Sequence, residues 1–302
     1  MRICSFLPSA TEIICALGLG NQLVGVTHEC DYPPAVKKKA KVIKSVADFS
    51  RMNSKTIDKK IRRLLKDGKS IYQLNHQLLK QLKPDVIIGQ STCKVCAPYF
   101  NEIDQVRKIL RYQLKIIIFH SHTIEQMFKD ILILAAELRV EAKGKALVNS
   151  IKSEINNVSK RFNINVVKKP KVLCIEWLDP FFTAGHWVPE MVEIAGGLNC
   201  ISRPSEFSRQ LQWSEIIKTD PEILILMPCG FSIQKTMKEI YKLEKNKNWY
   251  KLRAVKAKKV YVVNAAAYFS RLGPRISRGI EIMAKIIHRD FEGNNEDFIK
   301  IY

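Results

Sequence analysis

The chain has 302 residues, 46% apolar and 26% charged, enough apolar material to bury one large or two ordinary domains, which excludes a disordered chain. Thirteen glycines and 12 prolines are too few for a collagenous or low-complexity protein, and no run approaches the roughly 18 apolar residues of a membrane span. Fifty Lys and Arg against 29 Asp and Glu give a net charge of +21, which attracts anionic ligands, acidic membrane surfaces or nucleic acid without choosing among them.

The opening, Met1-Arg-Ile-Cys-Ser-Phe-Leu-Pro-Ser9, does not read as a secretory signal, which has a basic head, a longer apolar run and a small-residue cleavage site. The eight cysteines, Cys4, Cys15, Cys30, Cys93, Cys96, Cys174, Cys200 and Cys229, are too dilute for a disulfide scaffold and read as core thiols or ligands in a reducing compartment. The expectation is a cytoplasmic protein.

In chain order, residues 2–6 read as a strand, and Ser9 with Glu12 has the spacing of a capping box opening a helix that ends at Gly18 and Gly20. Residues 23–27 form a second strand; 56–66 and 77–82 read as helices. The run Val86-Ile-Ile-Gly89 is a strand of the kind buried on both faces of a parallel sheet. A helix over 99–111 and a strand over 114–119 follow. Thr123 and Gln126 again fit a capping box, and apolar residues recur at helical spacing from Ile124 through Val158. The pattern predicts one long helix with Gly144 as its weak point. Beyond it, strands over 172–176, 223–227 and 260–264 alternate with helices over 188–194 and 274–287. The expected fold class is α/β, two lobes with parallel sheets joined by one long backbone helix: an N-terminal lobe over 1–122, the helix over 123–162 and a C-terminal lobe over 163–302.

Two basic runs stand out. Residues 36–66 carry twelve basic residues against two acidic, and 235–260 carry ten against two. Both read first as solvated helix faces, with an anion or nucleic-acid surface as the alternative. Aromatic residues barely interleave the first run, whereas single-strand binding needs stacking platforms, so nucleic acid is not the expected partner.

Ligands of open parallel sheets bind beyond the carboxyl ends of the strands. His28-Glu-Cys30 follows the second strand and Cys93-Lys-Val-Cys96 follows the strand ending at Gly89, so these residues should share one edge. His28, Cys30, Cys93 and Cys96 compose a ligand set for zinc or an iron–sulfur cluster. The C-x-x-C also suits dithiol redox chemistry, and buried thiols without metal are a third reading. In the second lobe Trp177, Trp187, Tyr268 and Phe269 would line a wall with His186 as a polar tip, suited to a large flat ligand. Cys229 follows another strand. No G-x-S-x-G, P-loop or H-E-x-x-H occurs, and no enzyme is expected.

Several ordered motifs then become recognisable: Ser9-Ala-Thr-Glu12, Asp31-Tyr-Pro-Pro34, Leu82-Lys-Pro-Asp-Val-Ile-Ile88, Pro180-Phe-Phe-Thr-Ala-Gly185, Glu193-Ile-Ala-Gly-Gly197 and Arg271-Leu-Gly-Pro-Arg275. From about Arg2 to His288 the chain resembles the cobalamin and iron-siderophore substrate-binding proteins of ABC importers, and within them a cytoplasmic-looking branch. The resemblance implies two Rossmann-like lobes, a backbone helix, and a metal-chelate ligand held in a cleft. It implies a corrinoid such as cobalamin, or another tetrapyrrole-like chelate, contacted by Tyr32, Trp177, His186, Trp187, Cys229, Phe269 and Arg271. It also implies an ABC permease partner, docked in this family through one surface glutamate per lobe; Gln77 and Ser214, with Glu215 adjacent, occupy those positions here.

Overall fold

The computed structural model describes residues 1–91, 100–110, 112–162, 164, 169–288 and 296–301. The chain divides into two units: Met1–Ser121 with Glu125–Asn149, and His122–Ile124 with Ser150–Tyr302.

The first unit alternates β1 (Ile3–Ser5), α1 (Pro8–Ala16), β2 (Leu23–Thr27), β3 (Ala40–Ser45), α2 (Ser54–Lys66), β4 (Tyr72–Leu74), α3 (His76–Leu82), β5 (Val86–Gln90), α4 (Phe100–Ile109) and β6 (Lys115–Phe119). The sheet order is β4-β3-β2-β1-β5-β6, parallel except for the antiparallel β4. Order reverses at β1, the switch point beside which such sheets open a crevice. Ile3, Cys4, Val42, Ile43, Ile87 and Ile88 are buried to 0% exposure, which is why the central strands read as apolar runs.

The first helix starts differently from its sequence pattern. Leu7 is the N-cap, without a side-chain cap bond, and Pro8 opens the helix, where its missing N–H costs nothing. Ser9 and Glu12 are therefore buried within the helix and form no capping box. The strand-to-helix turn is braced instead by the Ser5 hydroxyl, which donates to the Leu7 carbonyl at 2.8 Å.

The long helix is two. α5 spans Ile124–Glu137 and α6 spans Glu141–Arg161, with Arg139 between them in the left-handed region at φ 58. Gly144, the expected weak point, lies within α6 and serves close packing: a Cβ there would stand 2.4 Å from the Ala135 Cβ of α5.

The second unit contains β7 (Lys171–Leu178), β8 (Phe181–Thr183), α7 (Val188–Ile194), β9 (Leu198–Asn199), α8 (Trp213–Thr219), β10 (Ile223–Leu226), α9 (Ile233–Glu244), α10 (Arg253–Lys256), β11 (Val260–Val263), α11 (Ala265–Tyr268), α12 (Ile276–His288) and β12 (Phe298–Lys300). Its sheet runs β12-β11-β10-β7-β8, with β9 also pairing with β7. β7, β10 and β11 are parallel, whereas β8 and β12 close the edges antiparallel. Leu173, Leu224, Leu226, Val262 and Trp249 form the core of one face. Among the described residues no helix is long and apolar enough to cross a membrane.

Candidate functional site

In the first unit, β2, β1, β5 and β6 lie side by side, so the residues after β2, β5 and β6 share one sheet edge. His28 is exposed, its amide donating to the Ile43 carbonyl at 3.0 Å, and Tyr32 is 44% exposed. Ser91 bridges β5 and β6: its amide donates to Phe119 and its hydroxyl bonds the His120 Nδ1.

Cys30 is different. The residue is 2% exposed, and its thiol lies 3.1 Å from the Thr11 hydroxyl and 3.4 Å from that of Thr27. The Glu29 amide donates to the Thr27 hydroxyl and the Thr11 hydroxyl donates to the Leu7 carbonyl. One direction satisfies every group: Thr27 O–H to sulfur, and S–H to Thr11, so the thiol is spent within the protein. Cys93 and Cys96 lie outside the described residues. Among the described residues no group of three or more His, Cys, Asp or Glu is placed to hold a metal. Of the other cysteines, Cys4 and Cys174 are buried and Cys15 is partly so; burial pushes the Cys4 thiol up to about 12 and raises that of Cys174.

The second unit gathers imidazole and aromatic groups around the turn between β8 and α7. Gly185 makes this possible. A Cβ there would lie 2.5 Å from the Ser208 nitrogen and 2.7 Å from the Glu206 oxygen, both backbone atoms, so only glycine lets the 203–208 loop close onto the turn. Two backbone bonds then clamp His186: its amide donates to the Glu206 carbonyl at 2.6 Å, and its carbonyl accepts from the Ser205 amide at 2.8 Å. His186 itself is held at φ 56, uncommon for a residue with a side chain and found where surrounding contacts enforce it.

The clamp brings Phe207, 67% exposed, edge-on to both His186 and His122, at centroid distances of 5.4 and 5.2 Å. His122 and His186 face each other through Nδ1, 2.9 Å apart. One ring donates and the other accepts, so the pair does not hold a proton on both facing nitrogens. Burial first, and the neighbouring His122 second, push the His186 imidazole down to about 4. The His122 segment is also tied to α7, where the Glu190 carboxylate accepts from the Ile124 amide at 2.9 Å.

Hydrogen bonds lead from this cluster to the carboxyl edge of the parallel strands. The Trp187 indole N–H donates to the Phe269 carbonyl at 3.1 Å; next along the chain, the Ser270 hydroxyl accepts from the Gly230 amide at 2.9 Å. The adjacent Cys229 amide donates to the Glu176 carbonyl at 2.9 Å. Trp177 follows, edge-on to Phe231 at 5.2 Å, its indole N–H buried without a hydrogen-bond partner among the described residues. Trp177, His186, Trp187 and Cys229 are thus brought into one connected region, and Arg271 lies half-buried on the segment after Phe269. Phe269 is 3% exposed, so its ring packs inside the unit and its carbonyl faces Trp187. Sequence reading missed His122 and Phe207.

Of the positions at which the resemblance implies docking, Gln77 stands exposed at the start of α3 and Ser214 exposed in α8. Glu215 is occupied, accepting from the Gln212 amide at 2.9 Å and from Arg209 at 2.7 Å, bonds that hold its carboxyl below the ordinary range.

The periplasmic binding protein family model matches residues 3–267. A Bacillus subtilis protein named as an uncharacterized ABC transporter substrate-binding lipoprotein is 26% identical over 294 residues, 96% of this chain and 80% of its own. The vitamin B12-binding protein of Vibrio parahaemolyticus is 22% identical over 225 residues, 74% of this chain and 69% of its own. Among solved structures, Staphylococcus aureus IsdE complexed with heme superimposes with a TM-score of 0.70 at 18% identity, covering 95% of this chain and 97% of that one. These matches correct the cytoplasmic expectation, because the family is periplasmic and its B. subtilis relative is a lipoprotein. The two-lobed α/β expectation holds, and the chain belongs to the periplasmic binding protein family, as a binding protein rather than an enzyme.

Proposed function

We propose that the protein captures a flat metal-chelate macrocycle, a corrinoid or heme, for an ABC permease. The observation that carries this reading is the clamped cluster of His186, His122, Phe207 and Trp187, hydrogen-bonded onward toward Trp177. Aromatic rings offer faces to a planar ligand and imidazoles offer a metal ligand or an edge hydrogen bond. A relative named as vitamin B12-binding and a neighbour complexed with heme support the ligand class.

The His122–His186 bond links tautomer to ligand. If His186 donates through Nδ1, its Nε2 carries a lone pair for a metal; if it accepts, Nε2 carries a proton for an amide or carboxylate on the macrocycle edge. The buried Trp177 N–H is a further donor awaiting an acceptor, as unpartnered buried groups at binding sites often are. Cys229 and Arg271, in the same unit, complete the proposed contacts.

Titrating the purified protein with cobinamide, cobalamin and hemin, followed by absorbance and calorimetry, tests the reading. Binding at micromolar concentration or tighter by at least one is expected, with a shifted absorbance band if His186 ligates the metal. No binding by any of the three overturns it.

A further inference from the structure

We propose that the surface formed by α9 and the turn after it docks the protein onto an anionic lipid bilayer. Between Lys235 and Lys251 the chain has six lysines and two glutamates. Glu239 is 4% exposed and pairs with Lys242 at 3.4 Å, and Glu244 is half-buried, so the exposed charged side chains of this segment, Lys238, Lys245, Lys247 and Lys251, are all positive. Lys238, Tyr241 and Lys245 are exposed at spacings of three and four, one face of α9. Lys247, Tyr250 and Lys251 are exposed in the turn that follows, which is pinned by Trp249 at 1% exposure.

Tyr241 and Tyr250 are 51% and 54% exposed, and the Lys245 ammonium lies 5.1 Å from the Tyr241 ring centre. Exposed tyrosines among lysines match the chemistry of a headgroup layer, where phenol rings sit at the interface and ammonium groups meet lipid phosphates. Single-stranded nucleic acid asks instead for successive stacking platforms along a charged groove. Two isolated rings on a helix face do not provide them. The family's place outside the cytoplasm, and a lipoprotein relative, make a bilayer the anionic surface at hand. The proposal stands on this surface and not on the ligand reading, so macrocycle titrations leave it untouched.

Co-sedimentation with phosphatidylcholine vesicles, with and without phosphatidylglycerol, tests it. Binding is expected only with phosphatidylglycerol and is expected to fall steeply with salt, since exposed charges are screened within about 8 Å at physiological ionic strength. Changing Lys238, Lys245, Lys247 and Lys251 to Gln should weaken binding about fivefold per lysine. Tyr241→Ser with Tyr250→Ser should weaken it further while keeping the salt dependence. The control removes equal charge from α2, whose exposed Lys55, Lys59, Lys60 and Lys66 have no aromatic residue between them, and should keep most of the binding; circular dichroism checks that every variant is folded. Equal loss in the α2 control, indifference to phosphatidylglycerol, wild-type binding by the α9 variant, or tighter binding to DNA than to these vesicles would each overturn the proposal.

Discussion

The two units arise from the same alternation of strands and helices, yet they hold their candidate groups in opposite ways. At the first sheet edge His28 and Tyr32 stand exposed, and Cys30, deeply buried, is consumed by two threonines. In the second unit His186 is clamped by a loop, paired to His122 and flanked by Phe207 and Trp187. Groups fixed before a ligand arrives lose less freedom on binding it. Under the proposed function, this contrast gives the second unit the orienting of the ligand. All four tryptophans, Trp177, Trp187, Trp213 and Trp249, belong to that unit, so indole fluorescence reports on it alone while circular dichroism reports on both.

The sharpest way to break the contrast is Gly185→Val. Its Cβ would meet backbone atoms at 2.5 to 2.9 Å, which have no rotamer to move into, so the loop bearing Phe207 must lift. A loss of about 3 kcal/mol is expected, at the upper end of overpacking costs. Urea unfolding followed by fluorescence should show it, and macrocycle binding should fall with it.

Acid should act on the same cluster. The folded-state value of His186, about 4, lies below its ordinary 6.5, so between those limits the unfolded chain binds more protons. Stability is then complete above 6.5 and is lost as pH falls toward 4, by up to about 3 kcal/mol. His186→Gln should flatten this part of the pH profile of the fluorescence-detected transition. An unchanged profile in the variant would place the titration elsewhere.

Gly144→Ala probes the first unit and sets two effects against each other. Alanine gains about 1 kcal/mol of helix propensity over glycine, but its Cβ would stand 2.4 Å from that of Ala135, and overpacking costs about 1–3 kcal/mol. The clash wins, for a net loss of about 1–2 kcal/mol detected by circular dichroism rather than by indole fluorescence.

How much of this was legible in the sequence depends on the range of the interaction. β5, β6, β10 and β11 announce themselves because central parallel strands are apolar along their length. β3 hides in a basic run, since only Val42 and Ile43 of its residues are buried while Lys44 is exposed. The α5–α6 break escapes periodicity because apolar residues continue through it, and it shows only as a left-handed Arg139. His186 and Trp187 were legible from their place before a helix. His122 obeys the same strand-end rule after β6, but its partner lies 64 positions away, and only the fold sets that pairing. Phe207 sits in a polar loop without periodicity. The compartment was misread because buried thiols such as Cys4 and Cys174 are packing residues as readily as signs of a reducing environment.

The smallest effect separates a structural Cys30 from a metal-binding one. In the hydrogen-bond relay from the Glu29 amide through Thr27, Cys30 and Thr11 to the Leu7 carbonyl, sulfur accepts one proton and donates one. Serine can do the same in a smaller volume, whereas valine fills the space, leaves the Thr27 hydroxyl, at 2% exposure, without its acceptor and deprives the Thr11 oxygen, at 0%, of a donor. An unsatisfied buried group costs about 1–3 kcal/mol, but each threonine keeps its backbone partner, so the loss belongs at the lower end. Cys30→Val should therefore be about 1 kcal/mol less stable than Cys30→Ser by circular dichroism. A thiolate metal ligand predicts a different pattern. Serine would fail as badly as valine, and a chelator would destabilise the wild-type protein to the level of either variant.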